Sequence, residues 1–208
     1  KSLEQGRYTW RHNSVLKTIM DFIKPRLREG FEMFSDLTGC DTGNGGTVPP
    51  DILTTSQRPD LVLLNRMKQE IIIVELTCPW DTNTVKDHDY KMNKYASLVS
   101  DLSNHNSVDL YCIEVSVRGQ ITKSNRARLK FFLLKSTGLP RKHCIDLINS
   151  ASKASLPSSF SIFTAHDEII WDIVLYVYTF LYIYIFFYHI KDVGICRTEI
   201  TILVIRIP

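Results

Sequence analysis

Two carboxylates stand out for the chemistry their spacing permits. Asp60 follows Arg58-Pro59 and opens an apolar run, Leu61–Leu64, while Glu75 is the one charged residue in a second run, Ile71–Leu76. The polar segment 65–70 between them reads as the connection of a β-hairpin. If Leu64 pairs with Ile71, Asp60 pairs with Glu75, on one sheet face and with Cβ atoms about 5 Å apart. Like charges directly opposite each other are destabilising, and a divalent cation removes that repulsion. Mg²⁺ (or Mn²⁺) takes oxygen ligands, commonly one or two carboxylates completed by water and substrate phosphates. Such an ion makes hydroxide available near neutral pH and offsets charge on a phosphodiester under attack. A lysine nearby would orient the water or share the growing negative charge. The plainer alternative makes Asp60 a strand-entry residue and Glu75 one half of an ordinary ion pair with Arg58 or Lys91.

The elements needed to position this pair are legible in the periodicity. Val15, Leu16, Ile19, Met20, Ile23 and Leu27 recur at helical spacing and predict a helix over 11–28, capped by Asn13 or Ser14 and cut short by Pro25. Residues 30–58, with Gly43, Gly45, Gly46, Pro49 and Pro50, read as a long loop. The hairpin follows, and its second strand, apolar at nearly every position, implies cover on both faces. Residues 84–103 predict a second helix with Val85, Met92, Tyr95, Leu98, Val99 and Leu102 on one side. Residues 108–117 predict a third strand, and 124–137 a third helix built on Leu129, Phe132, Leu133 and Leu134. The order α–β–β–α–β–α fits an α/β fold with a small mixed central sheet flanked by helices.

At these positions the sequence resembles a known family. Arg58-Pro59-Asp60, Val74-Glu75-Leu76 and Lys91-Met92-Asn93-Lys94-Tyr95 resemble, in order and spacing, the PD-(D/E)xK-type restriction-like endonuclease domain of non-LTR retrotransposon polyproteins. The flanks agree. Arg7-Tyr8-Thr9-Trp10-Arg11-His12-Asn13 resembles the segment that follows the zinc knuckle of those polyproteins, and Val108–Gly119 with Ile121-Thr122-Lys123 resembles the strand and turn beyond the active site. The resemblance covers roughly residues 5–150. It implies a restriction-endonuclease-like core and a Mg²⁺- or Mn²⁺-dependent cut in target DNA, with Asp60 and Glu75 as metal carboxylates. The parent polyprotein would supply the reverse transcriptase and zinc-knuckle regions as partners. One departure is plain: the lysine expected two residues after Glu75 is Thr77. The retroelement pattern moves that lysine to the following helix, which makes Lys91 the first choice, Lys94 the second, and Tyr95 a member of the same site one turn after Lys91.

Outside this core, charge and composition carry less. The chain has 208 residues, 25 Lys and Arg against 22 Asp and Glu, and a net charge of +3, so any nucleic-acid surface must come from local clusters. Residues 118–142 supply one: Arg118, Lys123, Arg126, Arg128, Lys130, Lys135, Arg141 and Lys142 with no acidic residue. We expect Lys123, Arg126, Arg128 and Lys130 to face DNA phosphate, with Arg11, His12 and Arg58 as further contacts; a solvated basic helix face is the alternative. Glu114 reaches the same site or pairs with Arg118, and His88 reads as a surface residue. The five cysteines, scattered and without a CxxC pair, fit buried reduced thiols rather than a disulfide frame or zinc site.

The chain opens on Lys1 and shows no secretory signal, so a piece of a longer, nuclear or cytoplasmic product is expected. Residues 1–155 form the endonuclease-like domain, Ser150–Ser161 reads as a linker, and 156–208 is an apolar C-terminal appendage. Within it, 169–190 is long enough to span a bilayer, although its many tyrosines suit an interface better. Its abrupt Ile/Tyr/Phe/Leu composition also fits translated non-coding sequence behind a truncated gene, or an added core element. Two rivals to the nuclease stay open: a catalytically inactive DNA-binding remnant, and a membrane-anchored protein.

Overall fold

The computed structural model describes residues 7–37, 39–42 and 46–164. Four strands form one sheet in the order β1-β2-β3-β4: Glu32–Ser35, Leu61–Asn65, Glu70–Thr77 and Ser107–Glu114. The first three run antiparallel to their neighbours, and β3 pairs in parallel with β4. The parallel step needs a crossover, and α2 (Thr84–Leu102) provides it. The sheet is therefore mixed, and helices flank it as the element order suggests.

Alternation along the strands assigns the two faces. Val62, Leu64, Ile71 and Ile73 pack on Tyr95, Leu98 and Leu102 of α2. Leu61, Leu63, Ile72, Val74 and Leu76 pack on the other face against α1 (Arg7–Ile23), α3 (Lys123–Thr137) and α4 (Cys144–Thr164). The β2–β3 hairpin is thus buried on both sides, as its unbroken apolar runs require. Its register pairs Leu64 with Ile71 and Leu61 with Val74, the alignment that brings Asp60 and Glu75 together.

Several boundaries differ from the sequence expectation. Helix α1 begins at Arg7, so Asn13 and Ser14 lie within it and Ser14 Oγ donates to the Trp10 carbonyl at 2.8 Å instead of capping. Pro25 ends it as expected, sitting in a 3-10 turn over Lys24–Arg26. The long loop contains β1, a short edge strand that is half exposed. On α2 the apolar Val85 and Met92 stay exposed, and Tyr95, Leu98 and Leu102 carry the packing. Thr122 caps α3 by accepting from Asn125 N, and Gly138 closes it in the left-handed conformation.

The segment expected as a linker is the body of α4. Cys144, Leu147, Ile148, Ala151, Ser155 and Ser158 recur at helical spacing and are buried. Small residues let this helix come close to the turn after β4. Ser152 Oγ donates to the Gly119 carbonyl at 2.7 Å. A Cβ on Gly119, whose φ is +74°, would lie 2.7 Å from the Ser152 carbonyl oxygen. Helix α4 thus runs through residue 155, and the compact unit covers Lys1–Phe163. Among the described residues no helix is long and apolar enough to cross a membrane. Residues 165–208, including the stretch at 169–190, lie outside the described residues.

Candidate functional site

Asp60 stands one residue before β2 and Glu75 sits near the end of β3, so the open end of the hairpin carries both carboxylates on the α2 face. Side chain and backbone lock them reciprocally. The Asp60 backbone N–H donates to Glu75 Oε2 at 3.2 Å, and the Leu76 N–H donates to Asp60 Oδ2 at 2.7 Å. Glu75 is almost wholly buried, with 2% of its side chain exposed. Burial first, and the charge of Asp60 second, push its carboxyl above the usual range, against the opposing pull of Lys91 and Lys94.

Three cations answer the pair. The ammonium of Lys91 is in direct ion-pair contact with Glu75 Oε1, while Lys94 stands 4.0 Å from the same oxygen. Burial disfavours a charged Lys91, but its hydrogen bond to Glu75 and the charges of Glu75 and Asp60 outweigh that and raise its pKa. Lys91 is therefore a standing cation here, not a base. His12, on α1, puts Nε2 3.1 Å from Asp60 Oδ2. Its Nδ1 lies 3.1 Å from Asn13 Oδ1, so both ring nitrogens face acceptors, which suits the doubly protonated ring. Burial works against that charge, and the hydrogen bond and charge of Asp60 overcome it, lifting the pKa to about 9.

Tyr95 is fully buried and its hydroxyl donates to the Arg58 carbonyl at 3.0 Å. Gln57 Nε2 donates to the Lys94 carbonyl at 3.0 Å. These two bonds pin the Arg58-Pro59-Asp60 turn to α2, so Tyr95 positions the carboxylate. Lys94 donates to the Tyr95 hydroxyl at 2.9 Å and lies over its ring. Thr77, where the standard motif has lysine, keeps a buried Oγ1 without a partner among the described residues.

Among the described residues, no group of three or more His, Cys, Asp or Glu side chains converges as a ready metal cage. Two carboxylates completed by water and substrate suffice for Mg²⁺. Of the four carboxylate oxygens, Asp60 Oδ1 is the one without a hydrogen bond from the described residues. The donor set suits a hard, oxygen-seeking ion. Cys112, beside Glu75 in the β3–β4 register, has its thiol pushed up to about 12, chiefly by burial, so it offers no thiolate. No protein-family model matches the chain, and no curated protein matches it in sequence.

The proposed DNA contacts separate into two sets. Arg11 is buried, and its guanidinium donates to the Cys78 carbonyl at 3.1 Å and to Ser159 Oγ at 3.4 Å. Arg58 is paired with Asp36, and Arg128 turns inward. Lys123, Arg126 and Lys130 instead line an open hollow of about 360 Å³ on α3, with Ala127 and Phe131. Glu114 pairs with Arg128 and His88 rather than with Arg118, which is held by Asp81. His88 is thus no stray surface residue. Its position three residues before Lys91 on α2 is the one sequence signal that could have found it.

Proposed function

We propose that this chain is a divalent-metal-dependent endonuclease that nicks DNA, of the restriction-like kind its motifs resemble. The observation that carries this reading is the carboxylate pair at the open end of the hairpin, with Glu75 buried and Lys91 brought onto it from the crossover helix. A bound Mg²⁺ or Mn²⁺ would supply an activated water and offset charge on the phosphate. The chain's own residues do the rest. Asp60 and Glu75 would hold the ion. Lys91, the cation beside Glu75, would offset charge on the phosphate or orient the attacking water. Lys123, Arg126 and Lys130 neutralise flanking phosphates, which makes binding salt-dependent. The parent polyprotein's reverse transcriptase and zinc-knuckle regions remain the partners this reading calls for.

The test is nicking of supercoiled plasmid by the full chain in Mg²⁺, in Mn²⁺ and in chelator. Metal-dependent nicking that vanishes in both Asp60→Ala and Glu75→Ala is the expected result. Nicking that persists in both variants would remove the carboxylates from the site. A second reading, a DNA-binding remnant without activity, draws on the neutralisation of the pair by Lys91 and His12 and on Thr77 in the motif's lysine position. DNA binding without nicking in any metal would favour it.

A further inference from the structure

A second buried carboxylate lies beside the first pair and holds a histidine in an oriented pose. Glu114, the last residue of β4, pairs in register with Thr77, two residues beyond Glu75 on the same sheet face. Only 1% of its side chain is exposed. Oε2 accepts from the Arg128 guanidinium at 2.8 Å, and Oε1 lies 2.9 Å from Nδ1 of His88. An ionised carboxylate only accepts, so Nδ1 carries the hydrogen of that bond. The tautomer is fixed, and Nε2 becomes the nitrogen that gains and loses a proton. The His88 side chain is 22% exposed, and its bond to Glu114 uses Nδ1.

Position on α2 adds the second argument. His88, Lys91 and Tyr95 are spaced three and four apart and share one helix face. Lys91 meets Glu75, Tyr95 holds the turn before Asp60, and His88 meets Glu114. The imidazole therefore stands one helical step from the proposed reacting centre. Charge balance gives the third. Arg128 alone neutralises Glu114, and Asn125 Oδ1 accepts from both the Glu114 N–H and Arg128. A brace between β4 and α3 is complete without a titratable ring.

We propose that His88, oriented by Glu114, is a further catalytic residue that donates a proton to the oxygen leaving phosphorus; this rests on the nuclease reading. As water oxygen bonds to phosphorus, the bond from phosphorus to the deoxyribose oxygen breaks. Its electron pair stays on that oxygen, which takes the Nε2 proton of the imidazolium. The attacking water gives up its own proton to solvent, and the neutral ring regains one from solvent. The sum is one water consumed, with one hydroxyl end and one phosphate end formed.

The experiment compares wild type, His88→Gln and His88→Ala in full-length chain, measuring kcat and KM for plasmid nicking in Mg²⁺ and DNA binding by gel shift. Added imidazole is titrated into each. The expected result is a fall in kcat of about 100-fold in both variants with DNA binding retained, and recovery of about tenfold by imidazole in His88→Ala alone. A His88→Gln variant that nicks at the wild-type rate overturns the proposal, because its amide makes the hydrogen bond and moves no proton. So does a His88→Ala variant that loses DNA binding together with activity and ignores imidazole. If wild type binds DNA and nicks nothing in any metal, the nuclease reading itself falls and takes this proposal with it. If wild type nicks and both variants nick equally well, only the role of His88 falls.

Discussion

Glu75 and Glu114 sit on the same face of adjacent parallel strands, equally buried, and are treated in opposite ways. Among the described residues, the Glu114 side chain bonds to no second carboxylate. A guanidinium, an imidazole and Asn125 fix it from two helices. Glu75 has Asp60 beside it, and its cation is an ammonium on a four-carbon stem with a fifth of the side chain exposed. Arg128 is a planar fork that matches a carboxylate, whereas Lys91 is a point charge that exchanges partners easily. One carboxylate is built to stay where it is; the other shares its site with a second carboxylate and is held by a removable partner. That difference separates scaffold from reacting centre among groups that look alike in burial alone.

The largest effect should come from breaking the satisfied cluster. Glu114→Ala leaves the part-buried Arg128 and His88 without their acceptor, and a loss of about 3–5 kcal/mol is the usual cost of removing one partner from a buried pair. Urea denaturation followed by circular dichroism measures it. A loss under about 1 kcal/mol would place Glu114 with weak surface pairs instead.

Glu75→Gln should do the reverse at neutral pH. The folded-state pKa of Glu75 is raised from 4.5, so the native chain holds its proton more tightly than the unfolded chain does. Its ionised form therefore costs stability, a cost absent well below 4.5 and growing as pH rises above it. Glu75→Gln should match or exceed wild type in thermal stability at pH 7, with the difference narrowing toward pH 4. Mg²⁺ should raise the melting temperature of wild type and leave that of the variant unmoved, by mass action on the native state. A variant less stable than wild type at neutral pH and indifferent to acid would make Glu75 a second scaffold carboxylate.

The contrast also marks what the sequence could disclose. The hairpin register was legible because two unbroken aliphatic runs must be buried on both faces, and a slip of one residue would turn Asp60 and Glu75 to opposite sides. Lys91 was reachable through the periodicity of α2. The Glu114 cluster was not, because its three members come from β4, α2 and α3 and no local spacing joins residues 88, 114 and 128. The same blindness explains α4. Its later buried positions, Ala151, Ser155 and Ser158, are small or polar, and Ser152 makes the close approach to Gly119, so composition alone suggested a linker. Arg11 likewise looked like a phosphate ligand until its partners, Cys78 and Ser159, arrived from distant chain.

The smallest effect separates the two histidines. His88 meets Glu114 through Nδ1, whereas His12 faces Asp60 and Asn13 with its two ring nitrogens. His12 is thereby a fixed cation of the carboxylate pair, with its pKa raised from 6.5 to about 9. A raised folded-state pKa stabilises fully below the unfolded value and is lost as pH climbs through the folded one. The gap in melting temperature between wild type and His12→Gln should thus be widest below pH 6.5 and close as pH rises through about 9. A gap that stays constant through that window would make His12 an uncharged ring and not a fixed cation of the carboxylate pair.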